Sequence, residues 1–143
     1  MPRLLACGGQ LAVLGSGDRK LEKGFLRAAK KYVGRIACVV GYDEALSHRI
    51  QAGADAIIVP SRFEPCGLTQ LYGLRYGTLP IVANVGGLAD TVTDAVTGFL
   101  FEPIDAEQLA AAIQRACDLY AISSAWHDMM ITAMNQDVGW DVA

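Results

Sequence analysis

The chain has 143 residues, of which 52% are hydrophobic, and it carries a formal net charge of −3. This length suffices for one domain with a core of its own, and the negative charge predicts no electrostatic attraction to nucleic acid. No apolar run approaches the roughly 20 residues that a membrane-spanning helix needs, and the N-terminus lacks the pattern of a signal peptide. The four cysteines are scattered without a Cys-x-x-Cys pair, which is typical of a reduced cytosolic protein and argues against a zinc site.

Short apolar segments alternate with helical patterns along the chain. Strands are predicted at 10–14, 35–40, 56–59, 79–83 and, at a sheet edge, within 97–102. Helices are predicted at 19–32, 43–52, 69–76 and 123–134, with a further helix following Asp105. The first four strand centres are separated by roughly the length of a βαβ unit. This alternation predicts an α/β fold with a doubly wound, parallel, Rossmann-like sheet.

Two of these helices have recognisable starting signals. Asp18 is placed to cap the first long helix, and Asp105 is placed to cap a later one with Gln108 in the capping-box position. The buried face of that later helix is predicted from helical spacing at Leu109, Ala112, Ile113, Ala116 and Tyr120. A short helix also follows Gly86 and Gly87. That glycine pair forms either a second turn that faces an anion or a tight packing contact between strand and helix.

The stretch from 59 to 70 is the most informative part of the chain. It joins an apolar strand to a helix, so its turn lies at the carboxyl edge of a parallel sheet, where ligands bind in open α/β folds. The N–H groups of Gly67, Leu68 and Thr69 are expected to point outward with the positive end of the helix dipole behind them, which suits phosphate. Glu64 is better placed to accept hydrogen bonds from hydroxyls. The turn therefore predicts a site for a sugar phosphate or a nucleotide-sugar.

Three motifs, in this order, resemble those of bacterial glycogen synthases and plant starch synthases. They are Gly41-Tyr42-Asp43-Glu44, residues 61–70 followed by 73–77, and residues 86–92. Members of that family are retaining transferases that move glucose from ADP-glucose to the non-reducing end of an α-1,4-glucan. They have two α/β domains, in the arrangement called GT-B, with the active site in the cleft between them. The resemblance implies that residues 1–143 are a single, incomplete C-terminal domain and that the N-terminal domain is absent.

The resemblance implies that three residues of the turn serve the sugar. Glu64 would lie beside the transferred glucose as the catalytic residue, accepting a hydroxyl hydrogen bond and steadying positive charge at the anomeric carbon. Cys66 and Gly67 would also contact the sugar, Cys66 through its backbone N–H. Taken without the resemblance, Glu64 has the commoner role of a glutamate between strand and helix, a surface carboxylate, and Cys66 is a small hydrophobic residue in a turn.

The resemblance assigns three further residues to the nucleotide. Leu68 and Thr69 would bind the diphosphate, and Tyr42 would stack on the adenine through its flat, polarisable ring. Taken alone, Tyr42 could equally be a loop tyrosine with no ligand. No metal site and no cofactor are expected, because the donor substrate is ADP-glucose itself and the histidines are isolated in the sequence.

The absent segments lead to expectations about activity and partners. The family's basic residues for the diphosphate have no counterpart here, so we expect the isolated chain to be inactive. We expect it to bind ADP-glucose or ADP and an α-1,4-glucan, and either to self-associate or to bind a polypeptide that carries the missing half. No nucleic acid or membrane partner is expected, and the expected location is the bacterial cytoplasm, with a plastid left open. The alternatives are a non-catalytic module that binds ADP or a partner, and a related transferase with another donor such as UDP-glucose.

Overall fold

The structure of the protein is a computed structural model that describes residues 2–139. In chain order its elements are α1 (Pro2–Ala6), β1 (Leu11–Gly15), α2 (Arg19–Lys31), β2 (Ile36–Val40), α3 (Glu44–Gly53), β3 (Ala56–Val59), α4 (Thr69–Tyr76), β4 (Leu79–Ala83), α5 (Gly86–Thr91), β5 (Phe99–Phe101), α6 (Ala106–Tyr120) and α7 (Ser123–Met134). The chain divides into two compact units, Met1–Ile50 and Gln51–Ala143. That residues 1–143 form a single domain stays a prediction.

The first unit contains the parallel pair β1 and β2, connected by α2. The two strands run in register from Leu11 opposite Ile36 onward. Helix α2 begins where the sequence predicted, because the Asp18 carboxylate accepts hydrogen bonds from the backbone N–H groups of Lys20 at 2.8 Å and Leu21 at 3.2 Å. The short helix α1, which the sequence pattern did not predict, starts with a proline in the first helical position, where its missing N–H costs nothing.

The second unit contains a three-stranded parallel sheet in the order β3-β4-β5. The central strand β4 pairs on both sides, and all five of its residues are buried, as expected for a parallel strand covered on both faces. The predicted edge strand is confirmed as β5. The predicted parallel α/β fold is thus confirmed, with its strands in two ladders, one in each unit.

Helices α4 to α7 cover the sheet of the second unit and form its core. The side chains of Leu74, Leu79, Val82 and Leu88 are 0% exposed. Helix α4 is capped at its C-terminal end by Gly77, which adopts a left-handed conformation (φ 75°) that favours glycine at this position.

The predicted face of α6 is partly right. Ala112, Ile113 and Ala116 are buried, but Tyr120, the last residue of α6, is 53% exposed. Its ring meets that of Trp126 edge-on, with centroids 5.1 Å apart. The Asp105 cap is also confirmed, since its carboxylate accepts from Glu107 N and Gln108 N. The reciprocal half of the capping box is wrong, because the Asp105 N–H donates to Pro103 O instead.

Within residues 2–139, no helix combines the length and the apolar character that crossing a membrane would require. The strands and helices that flank the candidate site have the predicted bounds: β3, α4 and β4 begin and end where the sequence pattern placed them. The turn between β3 and α4 is therefore the one that the sequence analysis singled out.

Candidate functional site

The start of α4 presents open backbone donors to solvent. The first intrahelical hydrogen bond runs from Tyr72 N to Leu68 O at 2.9 Å, so the N–H groups of Leu68 and Thr69 precede the hydrogen-bonded part of the helix. The cap residue Leu68 supplies no side-chain hydrogen bond to them. Leu68 and Thr69 are both exposed. The positive end of the helix dipole lies at the same point, so this helix start is suited to an anion.

Glu64 lies in the same turn, half-buried, a few residues before the start of α4. Its carboxylate accepts a long hydrogen bond from the Ser61 hydroxyl, with an oxygen–oxygen distance of 3.4 Å. Its backbone carbonyl is held by the Gly87 N–H at 3.0 Å. The backbone is therefore fixed while the carboxylate keeps acceptor capacity for a hydroxyl. That Glu64 accepts a hydroxyl of a ligand stays a prediction.

Cys66 and Gly67 form the bend of the turn. Cys66 is exposed and its thiol is free. Gly67 has a φ of 72°, in the left-handed region, and a Cβ added to it would overlap the amide oxygen of Gln70. The bend therefore requires glycine for two reasons, the backbone angle and the packing of the Gln70 side chain.

The second glycine turn lies directly against the first. A Cβ on Gly87 would come within 2.6 Å of the Cys66 Cα, and a Cβ on Gly86 would overlap the Glu64 carbonyl oxygen. The sequence left two roles open for this glycine pair, facing an anion or packing a strand against a helix. The structure shows a third role, since the glycines let the β4–α5 turn contact the backbone of the β3–α4 turn.

Sequence reasoning missed two residues that join these turns. Gln70 is 0% exposed, and its amide nitrogen lies 3.0 Å from Cys66 O, 2.8 Å from Gly67 O and 3.2 Å from the Thr91 hydroxyl. Thr91 lies at the end of α5, and its hydroxyl donates to Gly87 O. The signal for the burial of Gln70 was available, because it shares a helical face with Leu74 four residues later.

The predicted site residues are divided between the two units. Glu64, Cys66, Gly67, Leu68 and Thr69 lie together in one turn of the second unit. Tyr42 belongs to the first unit, lies two residues after the last residue of β2, and has a side chain that is 87% exposed. Among the described residues, no three His, Cys, Asp or Glu side chains are grouped so that they could hold a metal ion.

Comparisons with known proteins match most of the chain. Residues 4–128 match the family model described as glycosyl transferases group 1. Over the whole chain, the glycogen synthases of Roseobacter denitrificans and Paracoccus denitrificans are 53% and 57% identical, and the chain covers 32% of each. The catalytic domain of starch synthase IV from Arabidopsis thaliana, solved bound to ADP and acarbose, superposes with a TM-score of 0.91 and 34% identity over 99% of this chain and 31% of that one. The chain thus spans about a third of the length of the curated relatives it matches.

Proposed function

The chain belongs to the group 1 glycosyl transferase family, and from this membership we propose that it is the nucleotide-sugar-binding, C-terminal part of a glycogen synthase. The complete protein would transfer glucose from ADP-glucose to the non-reducing end of an α-1,4-glucan with retention of configuration. Relatives that are 53% and 57% identical are named glycogen synthases, and the starch synthase that superposes well was solved with ADP, which supports both parts of the proposal.

One observation carries this proposal: the open start of α4 and the half-buried Glu64 share one turn. A helix N-terminus stabilises a phosphate through its N–H groups and dipole, whereas a carboxylate would repel one. A turn that offers both within a few residues suits a ligand with a diphosphate next to a hydroxyl-bearing group. A nucleotide-sugar has this arrangement.

Each site residue has a role in the proposal. Leu68 and Thr69 bind the diphosphate through their N–H groups, with the Thr69 hydroxyl as an additional donor. Cys66 and Gly67 contact the sugar. Glu64 accepts a sugar hydroxyl and stabilises the positive charge that develops at the anomeric carbon, which is the electrostatic contribution that a fixed carboxylate makes to such a transition state.

We propose that Tyr42 stacks on the adenine base. Its ring is 87% exposed in the structure, so it offers an open aromatic face beyond the carboxyl end of its strand. The reaction needs no cofactor in this proposal, because the donor carries its own activated leaving group. A reduced, cytoplasmic location is supported by the four cysteines, which are scattered along the sequence without a Cys-x-x-Cys pair.

The proposal is tested by calorimetric titration of the purified chain with ADP, and with UDP as a comparison. We expect saturable ADP binding that Tyr42→Ala weakens at least about fivefold, in keeping with the roughly 1–3 kcal/mol that stacking on a base contributes. Tyr32→Ala is the matched control, because Tyr32 precedes the amino end of β2 whereas Tyr42 follows its carboxyl end.

The outcomes separate the candidate functions. ADP binding that is lost in Tyr42→Ala and kept in Tyr32→Ala supports a synthase part that contains its adenine site. Binding of UDP in preference to ADP would replace the proposed donor by a uridine nucleotide-sugar. A folded chain that binds neither nucleotide would contradict the proposal and favour a non-catalytic interaction module.

A further inference from the structure

The amide of Gln70 is the most enclosed polar group near the candidate site. The side chain is 0% exposed, and it stands in the first turn of α4 with its amide directed back to the preceding bend. The amide nitrogen donates to two backbone carbonyls of that bend, Gly67 O at 2.8 Å and Cys66 O at 3.0 Å. A ligand cannot reach a side chain that is fully covered, so any influence of Gln70 on binding must act through these carbonyls.

The hydrogen-bond network determines which way the amide points. The nitrogen side faces three acceptors, since the Thr91 hydroxyl oxygen lies 3.2 Å away and gives its own proton to Gly87 O. The opposite orientation would place the amide oxygen against two carbonyl oxygens. The Gln70 amide oxygen has no hydrogen-bond partner, and it occupies the space where a side chain on residue 67 would stand.

These bonds close a ring between the two glycine turns. On one side, Gly87 N donates to Glu64 O at 3.0 Å. On the other side, the Gln70 amide joins the Cys66–Gly67 bend to the Thr91 hydroxyl, and that hydroxyl donates to Gly87 O. The backbone that carries Glu64 and the backbone that precedes the start of α4 are therefore held by the same ring.

We propose that Gln70, acting with Thr91, is a positioning residue that fixes the backbone of the β3–α4 turn so that it binds the second phosphate of a nucleoside diphosphate. This inference rests on the proposed function of the turn. A misplaced bend would lower the contribution of the diphosphate to binding and leave the contribution of the nucleoside largely unchanged. An amide that is fully covered thereby controls affinity for a ligand it does not touch.

The test compares three variants by their affinities for ADP and AMP. Gln70→Leu removes the donor at similar size, and Thr91→Val removes the hydroxyl. Thr78→Val is the matched control, because Thr78 is 1% exposed and its hydroxyl also bonds backbone carbonyls, those of Gln51 and Ala54, but it lies beyond the opposite end of α4. We expect Gln70→Leu and Thr91→Val to lower the ratio of ADP affinity to AMP affinity at least about fivefold, the size expected for a buried hydrogen bond, and Thr78→Val to leave the ratio unchanged.

A second readout needs no nucleotide. Hydrogen exchange of the Gly87 N–H reports the contact between the two turns directly, because this group donates to Glu64 O. We expect its protection to fall at least about tenfold in Gln70→Leu and in Thr91→Val, and to stay at the level of the unsubstituted chain in Thr78→Val. The double variant Gln70→Leu/Thr91→Val should lose less protection than the sum of the two single losses, since the bond between Gln70 and Thr91 is broken in both.

Three results would overturn the inference: an unchanged affinity ratio in Gln70→Leu, unchanged protection at Gly87, or an equal loss in all three variants, which would indicate general destabilisation. If the unsubstituted chain binds no ADP, the proposed function fails instead. The exchange experiment then still decides whether Gln70 and Thr91 hold the two turns together.

Discussion

At the scale of single residues, Gly67 combines two independent requirements in one position. Its φ of 72° is strained for any residue with a side chain, and the space beside its Cα is occupied by the Gln70 amide. The strain alone costs on the order of 1–3 kcal/mol for a non-glycine residue. Displacement of Gln70 would add the loss of its hydrogen bonds to the bend.

We therefore expect Gly67→Ala to lower the free energy of unfolding of the second unit by about 2–4 kcal/mol and to abolish ADP binding. The measurement is urea unfolding together with calorimetric titration. Gly53→Ala serves as the control, because Gly53 has an ordinary φ and nothing lies within 4 Å of the Cβ position there. A Gly67→Ala chain with unchanged stability and full ADP affinity would show that the bend does not depend on Gly67.

At the scale of helices and strands, each unit contains an aspartate that caps a helix by accepting hydrogen bonds from two backbone N–H groups. Asp18 caps α2 in the first unit, and Asp105 caps α6 in the second. The helix α6 packs against β5, whose residues Phe99 and Phe101 are buried. Loss of either cap leaves two backbone donors unsatisfied at a helix start.

We expect Asp18→Ala and Asp105→Ala each to cost about 1 kcal/mol, within the usual range of 0.5–2 kcal/mol for an N-cap. Hydrogen exchange measured by peptide should locate the first effect in α2 and the second in α6. Gln108→Ala should cost far less than Asp105→Ala, because the Asp105 N–H is bonded to Pro103 rather than to Gln108. A large effect of Gln108→Ala would mean that the capping box does form in solution.

The local part of the site could be predicted from the sequence. The apolar run of β3 and the helical spacing of α4 have the predicted bounds, so the turn that holds Glu64 and Thr69 lies where it was expected. Such predictions succeed because the strand, the bend and the helix are adjacent in the sequence. The roles of the individual side chains in binding the sugar and the nucleotide stay predictions.

The contacts between turns could not be predicted in the same way. Gly86 and Gly87 touch the backbone of Glu64 and Cys66 only because β3 and β4 are neighbouring strands whose carboxyl ends are level. Hydrophobic periodicity indicates that a strand exists, but it does not specify the relative height of two strand ends. The spacing of Gln70 and Leu74 indicated a buried side chain, and it left open which groups the amide would bond.

At the scale of the whole molecule, the two units differ sharply in how many hydrophobic side chains they bury. Among the described residues of the first unit, Ile36 is the only hydrophobic side chain with the low exposure of a core residue, at 5%. On β2, Val39 is 48% exposed and Val40 is 41% exposed, and Leu21 on α2 is 65% exposed. Apolar surface of this kind is typical of a face that another polypeptide covers. Self-association, or contact with further polypeptide, stays a prediction, and these exposed side chains of the first unit are where we expect such a contact.

We expect a purified polypeptide of residues 1–143 to incorporate no radiolabelled glucose from ADP-glucose into glycogen. Each backbone N–H group at the start of α4 contributes about 1–2 kcal/mol to the binding of a diphosphate in favourable geometry. A closed, charged cleft normally stabilises the transition state by several kcal/mol more. Full-length glycogen synthase of Paracoccus denitrificans is the positive control. Incorporation that Glu64→Gln abolishes would contradict this expectation and show that the short chain is catalytically sufficient.

The backbone contact between the two glycine turns limits how the protein can be altered. Because side chains on Gly86 or Gly87 would overlap the main chain of residues 64–66, a change in the backbone of one turn has to be matched by the other. A designer who wishes to change the sugar specificity proposed for this turn should therefore transplant both turns together, with Gln70 and Thr91 included. A graft of residues 61–70 alone would transfer the motif without the contacts from the β4–α5 turn that hold its backbone in place.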